Sequence, residues 1–395
     1  MKKRFTRLIL FLAVFICIFT TYNIKIVYAE DSNTNEYSVS GEVESKLDSL
    51  YEYINTMKTD VELINELDPV SYIESYIENG EGDLSFSTII GSVISLLFKE
   101  VKSVLSLVLS IIDIGIICAL LKNLQSAFSS EGVSQVAYYA CYALLIILLS
   151  KTFLISLTLA KDVIYHITGL MGKVLPILIV MLGAAGGFTQ AATMDPIVLG
   201  ATILIPKIYT NIIIPLILMT FVIQFTNNIS SDIKLSNLAS MMKKSTVWIQ
   251  GIVLTIFIGI LSIRGITSQT MDAVTLKTTK YAVDNFVPIV GKSFSDAITS
   301  VAGYSLIIKN AIGTIGLVVL ILIIIYPIIK IMLSSIIFKI SAALLEPISD
   351  KRITSSVAAA GESITLIMSC VLSMSLIFFI LIATMISAGK FVVGG

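Results

Sequence analysis

Histidine and tryptophan occur once each in 395 residues, cysteine four times, and only 14% of the chain is charged. Each scarcity closes off a class of function. His166 stands alone, and no cysteine pair has ligand spacing, so no metal site is expected. Cys17 lies in the first apolar stretch, and Cys118, Cys141 and Cys370 lie inside apolar runs. They read as small packing residues, with no disulfide framework. No GxSxG, HExxH or CxxC motif occurs. The segment from Phe286 to Ser293 ends in Gly291-Lys292-Ser293 like a phosphate loop. It fails as one, because Phe286 stands where the first glycine must make the turn around phosphate. The chain is therefore expected to be no enzyme, with no catalytic or cofactor-binding residues, and any energy coupling must come from another protein. No basic cluster is interleaved with aromatics in a soluble region, so nucleic acid is not an expected partner.

What the chain has in abundance is apolar length. Mean hydropathy is +0.93, and several runs exceed the roughly 18 residues that cross a bilayer. The expected fold class is all-α: a polytopic membrane protein with about seven transmembrane helices, interfacial amphipathic helices and a short helical extracytoplasmic N-terminal region. The expected spans lie near residues 103–121, 136–157, 174–187, 196–225, 247–263, 311–329 and 364–387. An interfacial helix is expected at 86–99, and a further amphipathic stretch at 331–356. The organisation reads as a signal peptide at 1–29, an acidic region at 30–85, spans 1–5 at 86–263, an amphipathic pair at 264–310 and spans 6–7 at 311–395.

The signal rests on Lys2, Lys3, Arg4 and Arg7 before the apolar core Leu8–Phe19, with Val27 and Ala29 small at the positions that precede cleavage. An uncleaved anchor is the alternative. Residues 30–83 then lie outside the cytoplasm, with fifteen acids against two lysines. Val43, Leu47, Leu50, Ile54, Met57, Val61 and Ile64 form a heptad seam ended by Asp68-Pro69. The seam suits an amphipathic helix packed on its own membrane domain, with a partner or self-association helix as the alternative. Charge does not settle orientation. Seven spans put residues 264–310 in the cytoplasm but leave Lys330, Lys339, Lys351 and Arg352 outside, against the positive-inside rule. A break of span 4 at Lys207 reverses everything after it.

Five prolines, Pro176, Pro196, Pro206, Pro215 and Pro327, interrupt or start spans. A proline in lipid needs neighbouring protein or a wet cavity to satisfy the carbonyl it frees, so spans 3 and 4 are expected inside a bundle. Asp113 in span 1 would cost roughly 2.5–3.5 kcal/mol if it faced lipid at mid-depth. It needs a cation, a cavity or a protein contact. Gly183 and Gly187 are one turn apart, a spacing that lets helices approach closely.

Residues 266–313 are too elaborate for a linker. Met271, Val274, Tyr281 and Ala282 share one helical face, and Lys277, Lys280 and Asp284 share the opposite one. Pro288 and Gly291 set a bend. Ser293 with Asp296 resembles a capping box, and Phe294, Ala297, Ile298, Val301 and Ile308 make a second apolar face. Two such helices fit a membrane interface or a groove on another protein. The candidate contact residues are Met271, Val274, Lys277, Lys280, Tyr281, Asp284, Phe294 and Asp296.

The block TMDAVTLKTTKYAVDNFVPIVGKSFSDA at 270–297 resembles the signature region of the stage III sporulation protein AE family. AALLEPISDKRI at 342–353 and LPILIVMLGAAGG at 175–187 resemble its other recurrent blocks. The resemblance covers nearly the whole chain. It implies a multi-pass component of the mother-cell membrane around the engulfed forespore, with no cofactor. Its implied partners are the lipid bilayer, the other stage III sporulation A-operon proteins and forespore protein Q, in a channel or secretion-like complex needed for endospore formation. The ATPase of that complex is a separate protein. The alternative reading is a permease acting alone through its proline-broken spans and Asp113.

Overall fold

The structure, a computed structural model, describes residues 41–60, 75–76, 86–127, 131–229, 235–286 and 291–389. The signal stretch, most of the acidic region and the Pro288 bend lie outside the described residues. All regular structure among the described residues is helical. In chain order the helices are α1 (Gly41–Asp60), α2 (Phe86–Ala127), α3 (Glu131–Ala184), α4 (Phe188–Ile208), α5 (Ile214–Ile229), α6 (Ser236–Phe286), α7 (Gly291–Leu345) and α8 (Lys351–Ser387). A π turn, Tyr209–Ile213, joins α4 to α5.

Five stretches are long and apolar enough to cross a membrane: Tyr139–Ala184, Phe188–Asn228, Ser236–Ile263, Thr299–Leu345 and Lys351–Ser387; Leu105–Leu121 is a shorter apolar helix. The difference from the sequence reading lies in continuity. Expected spans 2 and 3 are parts of the single helix α3, and the expected interfacial helix at 86–99 runs without a break into span 1 as α2. The stretch 331–356 is the end of α7, a turn and the start of α8. Residues 158–173 are polar enough to lower hydropathy, but backbone hydrogen bonding continues through them. A helix of 54 residues is about 80 Å long, more than twice the roughly 30 Å hydrocarbon thickness.

The prolines explain the irregular backbone. Pro215 has no N–H to give to Asn211, and its ring would strike that carbonyl in a regular helix. The π turn just before it supplies the extra residue that relieves both problems. Tyr209, at the start of this turn, is fully buried, and its hydroxyl donates to Ser373 Oγ at 2.9 Å. Pro206 is buried as well. The stretch around the π turn thus presents Tyr209 and Pro206 to protein, while Pro196, Leu199, Leu204, Ile212, Met219 and Val222 of the same stretch are exposed.

Helix α8 is the hub, and contacts along it order the bundle. Gly361 near its start lies against Ser335 and Phe338 of α7, while Ile386 at its end lies against Gly313, so the two helices are antiparallel. Tyr142 of α3 bonds Ser356 at one end and Leu182 abuts Gly389 at the other, so α3 runs parallel to α8. Lys243 and Gln250 of α6 meet Glu362 and Ser369 in order, again parallel. Gln224 and Tyr209 meet Ser363 and Ser373, so α4–α5 is antiparallel. Helix α2 follows α7, with Glu100 beside Tyr326 and Gly115 beside Leu345. One end of the bundle therefore carries the α7–α8 turn. The opposite end carries the α3–α4 turn and the end of α8.

Candidate functional site

The distinctive chemistry sits at that opposite end. Helix α3 stops in a Schellman turn: Gly187 N donates to Leu182 O at 3.0 Å and Gly186 N to Gly183 O at 2.9 Å, with Gly186 at φ 89°. A left-handed residue at this position favours glycine, which explains Gly186. Gly187 is then the N-cap of α4 and has no side chain to bond the first free N–H groups. Asp272 of α6 does so instead. Its Oδ1 accepts from Thr189 N at 2.7 Å and its Oδ2 from Gln190 N at 2.9 Å. The carboxylate is 1% exposed. A buried anion at a helix N-terminus is held by two charge-assisted bonds and by the positive end of the helix dipole. Asp272 thus supplies from 82 and 83 residues away the cap that the local sequence lacks.

The end of α8 is the mirror case. Lys309 of α7 is fully buried, and its ammonium donates to Ile386 O at 3.0 Å and to Ala388 O. A cation satisfies the free carbonyls and the negative end of the dipole. Gly389 follows at φ 84°. A Cβ there would lie 2.9 Å from Leu306 and 3.2 Å from Leu182. Leu182 also abuts Gly187, so the two capped turns share a packing residue.

Along α8 runs a ladder of side-chain hydrogen bonds to its neighbours. Ser363 donates to Gln224 at 3.0 Å, Ser369 to Gln250 at 3.0 Å, and Ser335 shares a 2.7 Å bond with Thr365. In lipid, apolar burial gives helices little reason to associate, so packing and such bonds, about 0.6 and up to 1.7 kcal/mol each, hold the bundle. A second cluster joins α2 to α7: Tyr326 donates to Glu100 at 2.9 Å, and Lys330 lies 3.4 Å from the same carboxylate. Glu100 is buried, which makes this an internal polar contact. The Lys243–Glu362 pair at 2.6 Å differs, with side chains 29% and 48% exposed. Such a pair is worth about 0–1 kcal/mol. Replacing both partners, Lys243→Met with Glu362→Gln, is expected to move the melting temperature in detergent by less than about 2 °C.

The sequence-derived candidates fall as follows. Asp113 is exposed and two residues from Gly115, which abuts Leu345, so it lies near the α7–α8 turn. Gly183 ends α3 and Gly187 precedes α4, so the two glycines shape a turn and do not share one helix face. Val274 on α6 is 61% exposed. The side chains of Met271, Lys277, Lys280, Tyr281, Asp284, Gly291, Phe294 and Asp296 lie outside the described residues, as does all of Pro288. Sequence reasoning passed over Asp272 and Lys309, whose partners lie far along the chain. No cluster of metal-ligating residues occurs among the described residues.

Comparison with known proteins agrees with the block at 270–297. The family model described as Stage III sporulation protein AE matches residues 67–389. Stage III sporulation protein AE of Bacillus subtilis (strain 168) is 31% identical over 345 residues, 87% of this chain and 86% of that protein. No solved structure matches.

Proposed function

The chain belongs to the stage III sporulation protein AE family, and on that footing we propose that it is a non-enzymatic architectural part of a channel or secretion-like complex. It is a multi-pass membrane protein of sporulation. The complex would link mother cell and forespore through the membrane around the forespore, with the other A-operon proteins and forespore protein Q as partners. The observation that carries the reading is the Asp272 cap. It ties the block at 270–297, which carries the sequence resemblance, directly to the start of the proline-broken α4–α5 helix, as a docking segment coupled to a packing core would require.

Orientation follows from helix α1. Tyr53 donates to His166 O at 3.1 Å, which puts α1 in the half of the bundle that ends in the Asp272 cap. If the signal is cleaved, α1 is extracytoplasmic, and so is the end that holds Asp272, Lys309 and the amphipathic pair. The end of α5, the start of α6 and the turn at 345–351 then face the cytoplasm, which brings Lys243, Lys244, Lys339, Lys351 and Arg352 inside, in keeping with the positive-inside rule. In non-sporulating cells made to express the chain, where the extracytoplasmic side faces the medium, a membrane-impermeant thiol reagent is expected to label Thr275→Cys and to miss the exposed Ile348→Cys. The reverse pattern would refute this orientation.

The function itself is tested by recovering the tagged protein from sporulating cells and identifying what accompanies it. Co-purification of the operon proteins is expected. Solute transport by the purified protein alone in liposomes would favour the permease instead.

A further inference from the structure

Helices α2 and α3 are antiparallel, and both are fixed against the end of the bundle that carries the α7–α8 turn. Gly115 of α2 lies against Leu345 of α7, and Tyr142 of α3 bonds Ser356 of α8 at 2.7 Å. Cys118 stands one turn beyond Gly115, and Cys141 stands next to Tyr142. Their thiols lie within hydrogen-bonding reach of each other. The pairing of the two helices brings them together, because each cysteine stands about equally far from the link between Ala127 and Glu131. No local motif in the sequence joins them.

The two thiols differ in access. Cys118 is fully buried, Cys141 is part-exposed, and both are free thiols. Cys370 is fully buried elsewhere, on α8 beside Tyr209. A reachable thiol in contact with a sheltered one has the arrangement of an attacking and a resolving cysteine. Thiols in contact across two packed helices also meet the approach that a disulfide requires.

We propose that Cys141 is a site of thiol–disulfide exchange with small disulfides, and that Cys118 resolves the product into a bond between α2 and α3. In the first step the Cys141 thiolate attacks one sulfur of the small disulfide. That S–S bond breaks, and its other half leaves and takes up a proton as a free thiol. In the second step Cys118 gives up its proton and attacks the Cys141 sulfur. The Cys118–Cys141 bond forms, and the second half leaves as a thiol. Two protein thiols are oxidised, and one small disulfide is reduced to two thiols. The bond limits sliding of α2 along α3, and with it movement of Glu100 against Tyr326 and Lys330. In the orientation proposed above this end faces the cytoplasm, where such a bond is a transient redox response and not a permanent staple. The exchange itself does not rest on the conduit reading.

The test uses the full chain in detergent, carrying Cys17→Ser and Cys370→Ser so that only the pair reports. The probe is 2,2′-dipyridyl disulfide, which is small and apolar and releases a coloured thione at each step. Two thiones per chain are expected, together with a peptide pair joined through Cys118 and Cys141 in mass spectrometry. Dithiothreitol is expected to restore both thiols, and the closed form is expected to melt a few degrees higher than the open one. Cys118→Ser is expected to release one thione and to hold the pyridyl group on Cys141. Cys141→Ser is expected to react at least tenfold more slowly. The joined peptide is also sought in membranes from the chain with its native cysteines, which covers the case in which a variant does not fold. A pair that stops at a pyridyl group on Cys141, or that carries one on each cysteine, overturns the proposal. So does an equal rate for Cys118→Ser and Cys141→Ser, because Cys118 would then not be the sheltered partner.

Discussion

Asp272→Ala is expected to destabilise the protein by about 3–5 kcal/mol and to lower its melting temperature in detergent by roughly 5–10 °C. The arithmetic starts from the two amides that lose their acceptor. Thr189 N and Gln190 N each bond one carboxylate oxygen at a site 1% exposed. An unpaired buried amide costs about 1–3 kcal/mol. Loss of the anion facing the helix dipole adds up to about 2 kcal/mol. Gly187 cannot take over, having no side chain. Asp272→Asn should lie between the two, because its amide oxygen accepts one N–H while its NH₂ opposes the other. Since the cap couples the 270–297 block to α4, the alanine variant is also expected to fail in spore formation at temperatures where the asparagine variant still succeeds. Wild-type melting and normal spores from Asp272→Ala would mean that the cap neither holds α4 nor couples it to the block.

That residue also marks the boundary of what the sequence made legible. Helical class and apolar spans follow from local rules of run length, and the need to satisfy a freed carbonyl foretells the burial of Pro206 but not the exposure of Pro196. The dip in hydropathy at 158–173 misled, because hydropathy reports surroundings while helix continuity depends on backbone bonding, which Lys161, Asp162 and His166 do not interrupt. Asp272 could not be read as a cap, since capping rules look a few residues ahead and its partners lie far back along the chain. Lys309 was hidden for a related reason: a lysine among Ile307, Ile308 and Ile312 reads as snorkelling until the end of α8 is seen beside it. Ser363, Ser369 and Ser373 look like ordinary small residues of a span, and only the neighbouring helices reveal Gln224, Gln250 and Tyr209 as their partners. Gly183 and Gly187 fit two motifs at one spacing, and the positive φ of Gly186 decides for the turn.

Gly361→Val is expected to be the other severe change, costing upward of about 3 kcal/mol. A Cβ at Gly361 would lie 3.1 Å from Phe338 Cβ, 3.3 Å from Lys339 Cγ and 3.3 Å from Ser335 O. The first and last of these are backbone or next to it, so they cannot swing aside as a side-chain tip does. Helix α7 is also pinned here, because Ser335 donates to Gly361 O at 3.0 Å and shares its hydroxyl bond with Thr365. Alanine asks for a shift of a few tenths of an ångström and should cost about 1 kcal/mol. Valine adds two methyl groups to a contact already too tight for one. It must part α7 from the hub helix or abandon the serine bonds, and either route weakens the bundle at this close crossing. Gly251 on α6 provides the contrast, because a methyl group added there would meet nothing within 4 Å. There alanine should be neutral or stabilising by up to about 1 kcal/mol, through helix propensity alone. Equal melting temperatures for Gly361→Val and Gly251→Ala would mean that close approach of α7 and α8 does not hold the bundle, and that the polar ladder carries it alone.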